Sequence, residues 1–326
     1  MRLRRKILAA LPMAAASLWL ALPAAAQTYP DRPVRMVLPF PPGGSADFIA
    51  RLLADQMRGK AGQTFVVDNR PGASGNLATS HVAKSPADGY TLLVGVTGAL
   101  AINPTLYRDL DYVPERDFAA VSMIAQAPVV IVASPASGVT SLKQMVERAR
   151  AAPGKFSYAT NGVGTSHHLA GEMFKSVAQI DIANVPYKGT PGALQDIVGG
   201  RIEFGFMDLT ASLPLIAAGR IKALATTGAA RSAALPEVPT VAESGFAGYD
   251  AVTWIALFAP KGMNAEDIRK LSVQVNEVLS DPEVRRKGVA QGLDVAGSTP
   301  AALQKFLADE SVKWRRVVTD AKIKID

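Results

Sequence analysis

The chain has no cysteine among its 326 residues. That excludes disulfides, thiolate nucleophiles, thiolate metal sites and a lipid-anchored N-terminal cysteine. Histidine is nearly as scarce, with three in all. His167 and His168 are adjacent at a predicted helix start. Neighbours on a helix point about 100° apart, so the two make a poor metal pair, and shaping a cleft is the better use for one of them. Enzyme signatures are missing too: there is no G-x-S-x-G, no phosphate-binding G-x-x-x-x-G-K and no H-E-x-x-H. Asn161-Gly-Val-Gly-Thr165 lacks the third glycine of the dinucleotide fingerprint. No cofactor and no metal are expected. After Leu22 no apolar run is long enough to span a bilayer.

A leader stands at the N-terminus. Arg2, Arg4, Arg5 and Lys6 precede an Ala-rich apolar run from Ile7 to Leu22, and Pro23 is followed by Ala24-Ala25-Ala26. This is the layout of a secretory signal peptide cleaved after Ala26, so residues 1–26 are set apart from the fold and a periplasmic protein is expected. Removing the four positive charges of the leader takes the formal net charge from +7 to +3. The basic balance is then no argument for nucleic acid. Without disulfides the exported chain must rest on its core, and 48% hydrophobic residues allow one.

Strands and helices alternate. Val34–Leu38 reads as a strand, followed by Pro39, Pro41, Pro42, Gly43 and Gly44, and then by a helical pattern with Phe48, Ile49, Leu52, Leu53 and Met57 on one face. The prolines fix φ, and the glycines let another molecule approach the backbone. A helix N-terminus aimed at that approach binds anions without a lysine or arginine. The plainer alternative is an ordinary strand-to-helix turn. Two more strands, Phe65–Val67 and Tyr90–Val96, end in small-residue loops: Pro71–Asn76 with Ala73 in it, and Thr97-Gly98-Ala99. Alternation of this kind predicts a parallel sheet with right-handed crossovers, and in such a sheet those loops share the carboxyl edge, where ligands bind.

The middle of the chain repeats this plan. Phe118–Ala125 and Val129–Ala133 read as two strands around Pro128. Thr140 or Ser141 caps a helix to about Ala151, with Gln144 as the reciprocal partner of Ser141. Further strands are predicted at Lys155–Tyr158, Asn184–Tyr187, Ile202–Met207 and Ile221–Thr226. The first ends in a glycine loop and helix start, Asn161 to His168 with Gly164, Thr165, Ser166 and His167; the second ends at Lys188-Gly189; the third ends at Asp208. Ala251–Phe258 reads as a last strand, and helices capped by Asn264 and opened by Thr299-Pro300 follow. If these terminal helices cover the first unit, the chain crosses between units twice. The expected division is residues 27–128 with 252–326 as one domain and 129–251 as the other. Two crossings make a hinge around a cleft. Asp47, Asp68 and Asp208 are candidate acids, though acids at helix starts and strand ends more often cap backbone N–H groups. Asp208 is the one best placed to face a ligand. Lys188 is a possible carboxylate partner, with a solvated loop lysine as the alternative.

Taken together, several motifs resemble one family. They are Tyr29-Pro-Asp-Arg-Pro-Val34, Pro39-Phe-Pro-Pro-Gly-Gly-Ser-Ala-Asp47, Asp68-Asn-Arg-Pro-Gly-Ala-Ser-Gly-Asn76 and Asp88-Gly-Tyr-Thr-Leu92. Asn103-Pro-Thr-Leu-Tyr107, Asn161-Gly-Val-Gly-Thr-Ser-His-His-Leu-Ala-Gly-Glu172, Val185-Pro-Tyr-Lys-Gly189 and Pro236-Glu-Val-Pro-Thr-Val-Ala-Glu-Ser-Gly245 follow in order. In these the chain resembles the Bug-type solute receptors of tripartite tricarboxylate transporters. The resemblance implies an α/β protein with the periplasmic binding protein type II fold, which closes like a Venus flytrap on a small organic carboxylate and performs no chemistry. It implies that Phe40 to Asp47, with Gly43, Gly44 and Ser45, grips a carboxylate through backbone groups and waters. Gly164, Thr165, Ser166, the Lys188-Gly189 turn and Asp208 are implied from the other domain. Expected partners are that ligand and the membrane components of the transporter, with the receptor itself a monomer. Where such receptors often carry a polar run, this chain has Thr97-Gly98-Ala99-Leu100, which suggests a partly apolar, even aromatic, ligand. A sensor subunit for a signalling kinase and a secreted enzyme on the same fold are the rival readings.

Overall fold

The computed structural model describes residues 29–320 and residue 323. The predicted leader, residues 1–26, lies outside the described residues. Strands β1 (Val34–Leu38), β2 (Phe65–Asn69) and β3 (Thr91–Val96) form a parallel ladder in the order β2-β1-β3. The helix Ser45–Ala61 connects β1 to β2, with Ile49, Leu53 and Met57 buried. That is the face the helical periodicity predicts. Gly62, at φ +68, stops the helix in the left-handed conformation that glycine adopts without penalty.

The sheet is mixed rather than parallel throughout. Strand β4 (Phe118–Ala133) runs sixteen residues without a break, so the two strands expected around Pro128 are one. Its first part, through Pro128, pairs antiparallel with β9 (Val252–Pro260), and β9 pairs antiparallel with β3. From Val129 onward it pairs antiparallel with β7 (Phe204–Asp208) and β8 (Lys222–Thr226). Pro128 has no N–H to give a ladder, and it sits where one set of partners ends and the next begins. Strands β5 (Ser157–Thr160) and β6 (Ala183–Pro186) complete the second half as a parallel group with β7. A two-residue strand, β10 (Asp294–Val295), pairs with β4 at Ala125 and Gln126. Parallel prediction holds within each half. It fails at β4, β8 and β9 because these strands tie the halves together rather than close a strand–helix–strand unit.

Helices cover both faces. Several went unpredicted, among them Leu209–Ala217, Pro282–Ala290, the short helices Asn103–Leu106 and Pro114–Asp117, and the turn Gly98–Ile102, whose residues are all buried. The cap at Ser141 is present, its side chain accepting from Gln144 N at 3.3 Å, but Gln144 Oε1 returns its bond to Thr140 N at 2.9 Å rather than to Ser141. The long C-terminal helix, Pro300–Asp320, packs on β4 and on the Gly98–Ile102 turn. Its Glu310 is buried and accepts from two indoles, Trp254 Nε1 at 3.0 Å and Trp314 Nε1 at 2.8 Å. One carboxylate thereby fastens the last helix to the crossing strand β9. Among the described residues no helix is long and apolar enough to cross a membrane.

Candidate functional site

Two strand–glycine–helix corners face each other between the halves. In the first, β1 ends at Leu38 and the chain turns through Pro39–Gly44 into the helix Ser45–Ala61. Gly43 takes φ +101, a conformation that a side chain would strain. The turn is clasped from inside by Asp47. Its carboxylate accepts from Gly43 N at 3.2 Å, from Arg51 Nε at 3.0 Å and from Asn69 Nδ2 at 2.9 Å. Asn69 Nδ2 also reaches Phe40 O at 2.9 Å. Burial acts to raise the Asp47 pKa, yet the bonds from Arg51, Asn69 and Gly43 outweigh it and hold the carboxyl below its usual range. Asp47 lines the cleft, but its oxygens are committed to shaping the loop.

In the second corner, β5 runs into Asn161 and the loop to Thr165, whose hydroxyl caps the helix Ser166–Ala178 by accepting from His168 N at 3.3 Å. Asp208 stands at the end of β7 and is 9% exposed. Its Oδ2 accepts from Asn161 Nδ2 at 2.8 Å and from the Thr190 hydroxyl. His167 Nε2 lies 3.6 Å from Oδ1. Burial acts to raise the Asp208 pKa; the His167 ring and the hydroxyls of Thr190 and Ser45 overcome it and hold the carboxyl far below the usual carboxylate range. A depressed acid adds stability above its unfolded-state pKa and loses it as pH falls through the folded value. Wild type should therefore lose its stability advantage over Asp208→Asn as pH falls below about 4. Urea midpoints against pH check this. A gap independent of pH would mean that the carboxyl is not ionised in the fold.

The two histidines have different tasks. His168 Nδ1 accepts from Gly164 N at 3.3 Å, and burial pushes its pKa down, so it is a neutral brace for the loop. His167 faces the cleft. Its Nδ1, like Asn161 Oδ1, is buried with no partner among the described residues.

The corners enclose a cavity of about 40 Å³. Of the residues singled out in the sequence, Phe40, Gly44, Ser45, Asp47, Asn161, Thr165, Ser166, His167, Gly189 and Asp208 line it. Ala73 and Lys188 line a wider vestibule of about 950 Å³, which shares Phe40, Pro41, Asn161, Gly189 and Pro191 with the cavity. Gly43 lies on an outer groove beside Phe48 and Arg51. Thr97, Ala99 and Gly164 line none of these spaces. Thr97 Oγ1 instead accepts from Trp254 N at 2.8 Å, and Ala99 O accepts from the Tyr112 hydroxyl at 2.7 Å.

Sequence reasoning missed Thr190, Val96, Thr253 and Ile255 as cavity residues. Thr190 carried a signal, since it stands beside the helix-opening Pro191. Thr253 and Ile255 carried none, because their facing depends on β9 lying between β3 and β4. A further link crosses the cleft floor: Ser45 Oγ meets Thr210 Oγ1 at 3.0 Å, and the Thr210 hydroxyl lies 2.9 Å from Gln291 O. Among the described residues no group of three acids or histidines is arranged to hold a metal.

The model of the tripartite tricarboxylate transporter family receptor matches residues 49–323. Protein BugT of Bordetella pertussis is 38% identical over 322 residues, covering 98% of this chain and 99% of that one. The solved structure of Rpa4515 from R. palustris with adipate superposes with a TM-score of 0.88 at 38% identity, covering 91% of this chain and 99% of the other. MatC (Rpa3494) from Rhodopseudomonas palustris, solved with bound malate, gives a TM-score of 0.83 at 29% identity over 89% of this chain and 100% of the other. The fold is thus the two-domain, type II-like α/β fold of periplasmic binding proteins. The chain belongs to the receptor family of the tripartite tricarboxylate transporters, a family of periplasmic solute-binding proteins.

Proposed function

We propose that this protein captures a small organic carboxylate in the cavity between its halves and hands it to the membrane components of a tripartite transporter, without chemistry on the solute. The observation that carries the reading is the pair of opposed corners enclosing Asn161 Oδ1 and His167 Nδ1, buried polar atoms with no partner among the described residues. Backbone N–H groups and hydroxyls there can hold an oxyanion without a lysine or arginine. Relatives solved with adipate and malate support the ligand class. Phe40, Val96 and Ile255 give the cavity an apolar side, which suits a methylene chain or ring between the ligand's polar ends.

The cavity lies between the two corners, one from each half, so the halves part to admit a solute. We place the hinge where β4 and β9 pass between them, near Pro128 and Val252, with residues 27–128 and 252–326 forming one lobe and 129–251 the other. Closure is driven by the better contacts that the solute makes in the closed form. The protein acts as a monomer in the periplasm after its leader, residues 1–26, is removed.

A thermal-shift screen against dicarboxylates, tricarboxylates and aromatic acids tests the reading, because a ligand far above its Kd raises the midpoint by mass action. At least one acid should do so. Gly44→Val should abolish that shift while the midpoint of the free protein falls little. A Cβ at Gly44 would stand 3.2 Å from Asp208 Oδ2 and 4.0 Å from Thr190 Oγ1, and the residue's φ of −95° accepts any side chain. Undiminished affinity in Gly44→Val would remove the first corner from the site.

A further inference from the structure

The side-chain amide of Asn161 is held in one orientation. Its Nδ2 donates to Asp208 Oδ2 at 2.8 Å, and the same nitrogen faces His167 Nε2 at 3.4 Å. Turning the amide over would set its carbonyl oxygen against the Asp208 carboxylate, acceptor against acceptor. Oδ1 is therefore the carbonyl oxygen, an atom that accepts and never donates. It is buried with no partner among the described residues. The residue that carries it is 5% exposed and lines both the cavity and the vestibule.

A second acceptor stands beside it. Asn161 and Thr190 both bond to Asp208 Oδ2, which leaves Oδ1 of that carboxylate unused by either. Among the described residues no lysine or arginine lines the cavity. Around Asn161 Oδ1 it is donors that are short. A solute carboxylate placed there would set one acceptor against another. A group with a hydrogen to give would satisfy an atom that is costly to bury unpaired. Asn161 lines the cavity together with Gly44 and Ser45 of the first corner, so the group it meets lies close to the gripped carboxylate.

We propose that the solute carries a hydrogen-bond donor, a hydroxyl or an ammonium, on the carbon next to its carboxylate, and that Asn161 Oδ1 accepts from it. The inference rests on the receptor reading above and narrows its substrate class to 2-hydroxy and 2-amino acids. The site divides the solute between two tasks. N–H groups and hydroxyls of the corners take the carboxylate, and Asn161 takes the donor beside it. Asn161 thereby sets specificity, because an acid without the donor leaves Oδ1 stranded when the halves close. A site built to pair with a ligand hydrogen discriminates strongly against the analogue that lacks it.

The test is titration calorimetry with matched acids at about pH 7.5, where carboxyls are ionised and amines protonated. One set is succinate, malate, aspartate and 2-fluorosuccinate. Glutarate, adipate and phenylacetate, each with its 2-hydroxy, 2-amino and 2-fluoro counterparts, supply the others, so the length of the solute is not prejudged. In at least one set the hydroxy or amino acid should bind about tenfold or more tighter than its unsubstituted parent. The tighter of the two identifies the donor. The fluoro acid has a substituent close to a hydroxyl in size and no hydrogen to give, and it should bind no better than the parent. In Asn161→Ala the advantage of the donor should vanish. Equal affinity for parent and donor-bearing acids, the result expected if water serves Oδ1 instead, overturns this inference and leaves the receptor reading standing. An advantage that the fluoro acid shares, or that Asn161→Ala keeps, overturns it as well. Failure of every acid to bind sinks both. The fluoro comparison on the wild-type protein decides the matter even if Asn161→Ala does not fold.

Discussion

Gly98→Val is expected to weaken solute binding about a hundredfold or more, a loss of about 2.7 kcal/mol, while the thermal midpoint of the free protein stays put. Gly98 lies in the turn after β3 and touches the other half across the cleft. A Cβ there would stand 2.8 Å from Gly164 O and 3.2 Å from Thr165 Cα. Both are backbone atoms, which cannot rotate aside as a side chain does. The backbone of Gly98 is outside the left-handed region, so a side chain adds no local strain. The clash therefore exists only when the halves are together. An open form accepts the valine; a closed form does not. Titration calorimetry reads the affinity, and the scattering radius in saturating ligand reads closure directly. An unchanged Kd would show that the two halves need not meet at Gly98 to hold a solute.

Glu310→Ala is expected to cost about 3–5 kcal/mol of folding stability, because it strands two buried indole N–H groups and leaves a void between them. In a protein of this size that corresponds to a fall of roughly 10 °C in the midpoint. The lost anchor is specific: Trp254 belongs to β9 and Trp314 to the C-terminal helix, and both donate to Glu310 Oε2. Phe306 packs edge-on against Trp254 with centroids 5.8 Å apart, so the apolar contact survives the change and the deficit reports the polar anchor. Glu310→Gln retains an acceptor oxygen and should recover much of the loss. Urea denaturation of the three proteins measures the series. Equal stability of the alanine variant and wild type would show that the indoles find other partners.

Much of the cleft was legible because its parts are local. A strand, a glycine turn and a helix start within ten or so residues leave their marks in consecutive positions, and from these two stretches Phe40, Pro41, Gly44 to Asp47, Asn161 and Thr165 to His167 line the cavity. The family motifs carried the same information in order along the chain. What stayed hidden is relational. Nothing near Thr253 or Ile255 says that β9 will run between β3 and β4. Nothing near Thr97 or Ala99 says that their polar atoms will face inward to Trp254 and Tyr112 rather than outward to a solute. Pro128 misled for a physical reason. A proline usually ends a central strand, but here it falls where the ladder partners change, and the strand continues through it.

The continuity of β4 bears on how the chain acquires its fold. The first half cannot finish its sheet from its own early residues: Leu93 of β3 pairs with Phe258 of β9, and β9 must then accept β4. The strands that build the second half all lie between those two pairing partners. Loop closure over so long a span is slow relative to nearby contacts. The later-numbered half can thus mature as a unit while the earlier one waits for the arrival of β9 and its clasp on Glu310. A chain truncated before Val252 would keep every residue of both glycine corners, yet would have no stable way to set them face to face.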